Sequence, residues 1–165
     1  MIDAFCGVGG NAISFALSPQ VTKVIALDVN AAAVACAHHN ARIYGVASKI
    51  SFVCHDFFAA IPLFQKSDVP FAAVFLSPPW GGPGYREDDV FDLNKMKPYN
   101  LGFIMHHAKK VSSNLAVYLP RTSDLNQLQA VMDDDLEEME VVHYCLAGKS
   151  KVPSPSFRLP PTYRH

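Results

Sequence analysis

Residues 3–11 read Asp-Ala-Phe-Cys-Gly-Val-Gly-Gly-Asn, a glycine-rich turn between a short apolar run and a helical pattern over residues 11–17. Glycine tolerates positive φ angles and lets a ligand lie against the main chain, so such a turn is typical of nucleotide and nucleoside cofactor sites. Asp28 follows at about the expected spacing of 20 residues, where a second predicted strand over residues 22–27 ends. A carboxylate there can accept hydrogen bonds from both hydroxyls of a ribose. Together the two features predict a nucleoside cofactor.

The acidic residue Asp3, ahead of the first glycine, distinguishes between possible cofactors. A carboxylate beside the turn would repel a pyrophosphate but can accept hydrogen bonds from the ammonium group of a methionine moiety. Asp56, after a predicted strand over residues 50–54, can accept from an adenine amino group with Phe57 beside the ring, although it could equally be a helix N-cap. We therefore expect S-adenosylmethionine, with these candidate contacts: Asp3, Phe5, Cys6, Gly7, Gly9, Asn11, Asp28, Asp56 and Phe57.

Strand and helix patterns alternate along the rest of the chain. They predict helices over residues 30–44, 57–65, 101–112 and 124–132, and strands over residues 71–76, 114–119 and 139–146. This alternation predicts an α/β fold with a mostly parallel, doubly wound sheet. Together with the expected cofactor, it predicts a Rossmann-like S-adenosylmethionine-dependent methyltransferase. The 165 residues predict a single domain, 1–165, with its core in residues 1–147. Prolines at 153, 155, 160 and 161 predict that residues 148–165 form an irregular tail.

A second motif, Ser77-Pro-Pro-Trp-Gly-Gly82, directly follows the predicted strand over residues 71–76. In a doubly wound sheet this position lies across the switch-point crevice from the glycine turn, where the motif would face the reactive methyl group. Two prolines fix the backbone, and Ser77 and the Pro78 carbonyl can accept from an aromatic amine and aim its lone pair without a general base. Trp80 offers a face for a cation–π contact of about 2 kcal/mol, which favours a charged purine over a neutral one.

Composition limits the other functions that the chain could have. A formal net charge of −1 gives no broad basic field, so we expect any RNA to be recognised locally. The sequence contains no CxxC pair, and adjacent histidines such as His38-His39 and His106-His107 point about 100° apart on a helix, so we expect no metal. No apolar run approaches the ~18 residues of a membrane helix. We expect a soluble, intracellular monomer in the nucleus and/or cytoplasm.

At these motifs the chain resembles the trimethylguanosine synthases, which methylate the exocyclic N2 amine of a 7-methylguanosine RNA cap. The resemblance covers roughly residues 1–147 and rests on residues 3–11, 24–28, 40–45, 56–57, 75–83 and 119–121. It implies an RNA cap guanine-N2 methyltransferase acting on caps of the snRNA and snoRNA type, and a partner RNA bound through its cap without an extended groove. It also implies these roles: S-adenosylmethionine among Asp3, Asp28 and Asp56, the 7-methylguanine stacked on Trp80, the target amine near Ser77 and Pro78, and the cap phosphates near Arg121.

Two other functions fit parts of the same sequence. An amino-methyltransferase acting on another base or on a glutamine amide would use the same Pro-Pro-aromatic motif. A non-catalytic cap-binding module would keep Trp80 and Arg121 but would not need Asp3 and Asp28. Because the family's region ahead of the first motif is absent from the sequence, we expect this chain alone to bind its ligands weakly and turn over poorly until such a segment is restored.

Overall fold

The computed structural model of the protein describes residues 1–82, 89–131, 139–146 and 149–156. The chain divides into two compact units, Met1–Ser77 and Pro78–His165.

In the first unit, strands alternate with helices as predicted. The elements are β1 (Ile2–Asp3), α1 (Gly10–Leu17), β2 (Val24–Asp28), α2 (Ala31–Ile43), β3 (Ile50–Cys54), α3 (Phe57–Phe64) and β4 (Val74–Leu76). β1 pairs in parallel with β2 and with β4, and β2 pairs in parallel with β3, which gives the order β3-β2-β1-β4. The predicted parallel sheet is confirmed in this unit, with strand ends that differ from the predicted ones by up to three residues.

Two helices of the first unit, α2 and α3, begin where the sequence supplies a capping side chain, whereas α1 begins after Gly9 without one. Asn30 accepts from the N–H groups of Ala32 and Ala33, at 3.0 and 3.1 Å, and so caps α2. Gly45 follows the end of α2 with a φ of 71°, a conformation that favours glycine. These caps satisfy backbone groups that the helix ends would otherwise leave unpaired.

The first unit packs through small side chains. Ala12 and Ala16 on α1 are buried in one cluster with Ala41 on α2, so the helices can lie close to the strands beneath them. At Gly9 the main chain itself comes close to α2, because a Cβ atom added there would lie 2.9 Å from the Cβ atom of Ala37. Gly9 also has a φ of 90°, so this position requires glycine on two grounds.

We expect Gly9→Ala to lower the free energy of unfolding by about 2–3 kcal/mol, because the added methyl group combines backbone strain with overpacking. Gly10→Ala is the matched control. A Cβ atom at Gly10 meets nothing within 4 Å, so that variant should change stability by less than about 1 kcal/mol. Urea unfolding measures both, and equal stability of the two variants would contradict the close approach at Ala37.

The second unit contains three further strands and two further helices among its described residues. They are α4 (Leu101–Ala108), β5 (Leu115–Val117), α5 (Leu125–Ala130), β6 (Glu140–Leu146) and β7 (Lys149–Ser156), with a 3₁₀ turn over Leu93–Lys95. α4 buries Leu101, Ile104, Met105 and Ala108, the i, i+3, i+4, i+7 spacing of one helix face. β7 runs antiparallel to both β5 and β6.

The prediction of an irregular tail over residues 148–165 is wrong for residues 149–156, which form β7. β7 pairs with β6 along its length, including Pro155 opposite Val141 and Pro153 opposite His143, and meets β5 at Ser156. Two prolines two residues apart lack N–H groups on the same edge of a strand, so the alternate residues can still form a ladder on the other edge. Residues 157–165 lie outside the described part of the chain, and the single domain stays a prediction.

Candidate active site

The carboxyl ends of β1 and β4 form a topological switch point in the first unit. β1 lies between β2 and β4, and Asp3 is in register with Ala26 on one side and Phe75 on the other. In open α/β sheets, ligands bind in the crevice at such a point. The glycine turn follows β1 and Ser77 follows β4, so the topology brings the starts of both predicted motifs to this edge.

Three hydrogen bonds fix the glycine turn. The Cys6 N–H donates to the Leu27 carbonyl at 2.8 Å, and the Gly9 N–H donates to the Cys6 carbonyl at 2.8 Å. The Gly7 N–H donates to Oδ2 of Asp28, also at 2.8 Å. The turn after β1 is thereby tied to the end of β2, and its main chain is held in one conformation at the switch point.

Asp28 is half-buried and presents both carboxylate oxygens in a fixed orientation. Oδ2 accepts from the Gly7 N–H, and Oδ1 accepts from the Asn30 N–H at 2.9 Å. A carboxylate oxygen has two acceptor positions, so each oxygen of Asp28 can accept one further hydrogen bond. These two free acceptor positions fit the two neighbouring hydroxyls of a ribose, which would donate to them.

Asp3 is fully buried, and neither of its carboxylate oxygens has a hydrogen-bond partner among the described residues. Burial raises the pKa of Asp3 from 3.8 to about 7, the backbone N–H groups of Phe5 and Ala12 lower it in part, and the charge of Asp28 raises it. Those N–H groups act on the carboxylate from nearby without forming hydrogen bonds of normal geometry. A buried carboxyl group without partners is costly. The ammonium group of S-adenosylmethionine would remove that cost, so Asp3 fits this cofactor.

The buried carboxyl group makes stability depend on pH. Because the folded-state pKa of Asp3 lies above 3.8, the folded protein binds the proton more tightly than the unfolded chain. Asp3 therefore lowers the free energy of unfolding as pH rises from about 4 to about 7. We expect the free energy of unfolding of Asp3→Asn, relative to that of the parent, to increase by about 3 kcal/mol as the pH rises from 5 to 8. Urea unfolding at both values, without cofactor, measures this. Parallel pH profiles of the two proteins would contradict it.

Cys6, another predicted cofactor contact, is a buried and protonated thiol. Burial, followed by the charges of Asp3 and Asp28, raises the pKa of Cys6 to about 12. Its sulfur lies 3.6 Å from the Gly7 carbonyl oxygen. Cys6 therefore forms part of the wall beneath the turn and is no nucleophile. Asn11, in the first turn of α1, is exposed.

Asp56 caps a helix, and the neighbouring rings of Phe57 and Phe58, whose centroids lie 5.2 Å apart, are buried to different extents. Asp56 caps α3, with Oδ1 accepting from the Ala59 N–H at 2.9 Å, which was the alternative interpretation of this residue. Phe57 is only 2% exposed and packs in the core. Phe58 is half-buried, and its ring lies 6.0 Å from that of Phe5. Two adjacent phenylalanines on a helix point about 100° apart, and the sequence did not show which one faces inward.

In the second unit, Tyr118 fixes the orientation of Trp80. The Nε1–H group of Trp80 donates to the Tyr118 carbonyl at 3.2 Å. The two rings stack with their centroids 5.6 Å apart and their planes at 28°. Pro78 is buried, and Gly81 and Gly82 both have a φ of 95°. Sequence reasoning missed Tyr118, although an aromatic residue at the end of a predicted strand, three residues before Arg121, was a usable signal.

Arg121 is exposed and lines a cavity of about 450 Å³ in the second unit, together with Thr122, Ser123 and Asp124.

Where the structure is described, no group of three or more His, Cys, Asp or Glu side chains could hold a metal ion. His38, His39 and His106 are exposed, while the ring of His107 stacks on that of Phe103 with the ring centroids 4.0 Å apart. Within the same residues, no helix combines the length and the apolar character needed to cross a membrane.

Comparison with known proteins identifies the family. Residues 1–154 match a family model described as RNA cap guanine-N2 methyltransferase. The chain is 37% identical over 131 residues to the trimethylguanosine synthase of Schizosaccharomyces pombe. The aligned region covers 79% of this chain and 54% of that protein. It is 38% identical over 129 residues to the trimethylguanosine synthase of Saccharomyces cerevisiae, with coverage of 78% and 40%. The chain thus spans about half the length of these relatives.

Among solved structures, the SAM-dependent methyltransferase from Agrobacterium tumefaciens superposes with a TM-score of 0.58 at 17% identity, over 94% of this chain and 53% of that one. This likeness confirms the predicted Rossmann-like methyltransferase fold. Fold and family agree with the resemblance seen in the sequence. The chain belongs to the RNA cap guanine-N2 methyltransferase family.

Proposed function

We propose that this chain transfers a methyl group from S-adenosylmethionine to the exocyclic N2 amine of a 7-methylguanosine RNA cap. Family membership supports the reaction class. The choice of substrate rests on the orientation of Trp80. A hydrogen bond to the Tyr118 carbonyl and stacking on the Tyr118 ring set this orientation. A guanine methylated at N7 is positively charged, and a fixed indole face attracts such a base more strongly than a neutral purine.

The first unit supplies the cofactor site in this proposal. S-adenosylmethionine, when bound, provides an electrophilic methyl group on a positively charged sulfur. Asp3 receives the methionine ammonium group, Asp28 the ribose hydroxyls and Asp56 the adenine amino group. The remaining contacts come from the turn and from the start of α3: Phe5, Cys6, Gly7, Gly9, Asn11 and the Phe57-Phe58 pair, of which Phe58 is the more accessible ring.

Ser77 and Pro78 position the target amine. The amine of a guanine is a poor nucleophile because its lone pair is delocalised into the ring. The Ser77 hydroxyl or carbonyl and the Pro78 carbonyl accept hydrogen bonds from its N–H groups. These bonds orient the amine so that its lone pair points in one direction. The burial of Pro78 keeps that backbone rigid. No side-chain base is required, since a methylated ammonium group is acidic enough to lose its proton to water.

Arg121 contacts the cap phosphates, and the RNA is recognised through its cap alone, in keeping with the net charge of −1. We further propose that the enzyme is a monomer without a metal ion, and that it acts in the nucleus and/or cytoplasm on capped RNAs of the snRNA and snoRNA type.

The fluorescence of Trp80 tests the choice of substrate, because Trp80 is the only tryptophan in the chain. We expect 7-methyl-GTP to quench it with an affinity about 30-fold higher than GTP, the equivalent of a cation–π contact of about 2 kcal/mol. The two ligands share the phosphates and differ in the charge of the base. Equal affinities would contradict the role of Trp80 as the platform for a charged base.

A further inference from the structure

We propose that the cavity beside Arg121 binds the first transcribed nucleoside of a capped RNA, the nucleoside joined to the cap base through the triphosphate. This inference rests on the proposed function. The cavity has a volume of about 450 Å³, within the range of about 300–1,000 Å³ found for small-molecule sites. Its walls are mostly apolar: Val90, Pro120, Leu125, Leu128 and Val141.

The order of groups along the chain supports this assignment. Trp80 is held against Tyr118, and Arg121 comes three residues after Tyr118 in the same segment. The residues directly after Arg121 form the wall of the cavity. The second unit therefore presents an aromatic ring, then a guanidinium group, then an apolar cavity. A capped RNA end presents the matching order, which is a cationic base, then phosphates, then a nucleoside.

Hydrogen bonds hold the wall of the cavity in place. The Phe91 N–H donates to the Thr122 carbonyl at 2.7 Å, and the Asp124 N–H donates to the Phe91 carbonyl at 3.1 Å. The Ser123 hydroxyl donates to the Pro120 carbonyl at 2.7 Å. A wall fixed in this way loses little entropy when a ligand binds. Because the Ser123 hydroxyl already donates its proton within the wall, it cannot also donate a hydrogen bond to the edge of a base.

The lining also indicates which part of the RNA the cavity takes. Apolar side chains suit the flat faces of any base, so we expect little preference between bases. The Asp124 carboxylate, which caps α5 by accepting from the Asn126 N–H at 2.9 Å, would repel a further phosphate. It can accept a hydrogen bond from a ribose hydroxyl instead. The cavity therefore suits a ribonucleoside, with the phosphates left at Arg121.

The experiment compares two ligands by quenching of Trp80 fluorescence: 7-methyl-GTP, and the dinucleotide 7-methyl-GpppA. The dinucleotide adds an adenosine and carries less negative charge, so tighter binding cannot come from its phosphates. We expect it to bind about tenfold more tightly to the parent chain, since a nucleoside buries apolar area in the cavity. 7-Methyl-GpppG should bind to a similar extent.

The variant that tests the location is Val90→Ser with Leu125→Ser. These side chains are 61% and 57% exposed, so the fold should tolerate both changes. The matched control is Leu63→Ser with Val69→Ser, at equally exposed positions of the first unit. We expect the cavity variant to bind both ligands alike and to keep the parent's affinity for 7-methyl-GTP, while the control keeps the preference for the dinucleotide.

The outcomes separate this inference from the proposed function. Equal binding of both ligands by the parent would overturn the nucleoside site while leaving the cap site intact. A preference that survives in the cavity variant would also overturn it, because the nucleoside would then bind elsewhere. If the parent does not bind 7-methyl-GTP more tightly than GTP, the proposed function itself fails, and the nucleoside site fails with it.

Discussion

Replacing Trp80 by alanine should lower the affinity for a 7-methylated cap by at least about 100-fold, because the variant loses both a cation–π contact and base stacking. The affinity for S-adenosylmethionine should change little, because the cofactor residues lie in the first unit and the variant leaves Asp3 and Asp28 in place. Calorimetric titration of 7-methyl-GTP and of the cofactor measures both, since the fluorescent residue is lost.

Trp80→Phe distinguishes the contribution of the aromatic ring from that of the hydrogen bond to Tyr118. This variant keeps an aromatic face but loses the hydrogen bond from Nε1 to the Tyr118 carbonyl. We expect an affinity for the cap between those of the parent and of Trp80→Ala. A thermal melt of each variant checks that the contact with Tyr118 can be lost without unfolding. Unchanged cap affinity in folded Trp80→Ala would show that the base stacks elsewhere.

Replacing Asp28 by alanine should lower the affinity for S-adenosylmethionine by at least about 100-fold. The variant deletes two charge-assisted hydrogen bonds to the ribose, each contributing about 1.5–3 kcal/mol. It also frees the Gly7 N–H that the carboxylate now holds at 2.8 Å, so the glycine turn loses part of its support. Both effects act in the same direction. Calorimetric titration of the cofactor measures the sum.

Two controls accompany the Asp28 variant. Asp28→Asn keeps one acceptor oxygen and should lose less affinity, and Asp68→Ala removes an exposed acid of the same unit and should bind like the parent. Circular dichroism establishes that each variant is folded. An affinity of folded Asp28→Ala within about threefold of the parent's would contradict the ribose assignment, because the loss of even one charge-assisted hydrogen bond should lower the affinity by more.

The parallel part of the fold could be predicted from the sequence because its signals are local. Glycines at the turn, Asn30 at the start of α2 and the apolar run before Ser77 each set one element by their own chemistry. The strand β7 could not be predicted in this way. Its prolines argue against a paired strand, and the sequence does not show that β6 lies along β7 as its pairing partner.

The candidate site was predictable in its residue types and less so in its contacts. The sequence indicated that Asp3 and Asp28 serve one cofactor, and the topology brings the ends of β1 and β2 together. It could not show that Asp3 is fully buried with no hydrogen-bond partner in the described part of the chain, because burial depends on how α1 packs over the strand. Nor could it show that Tyr118 holds Trp80, since that contact joins residues 38 positions apart.

Methyl transfer to defined caps tests the central claim most directly. The chain is incubated with labelled S-adenosylmethionine and either 7-methyl-GpppA or GpppA, and the products are digested to nucleosides and separated. We predict label in guanosine methylated at N2 and N7 from the first substrate, and none above background from the second. Label in adenosine, or equal transfer to the unmethylated cap, would contradict the account.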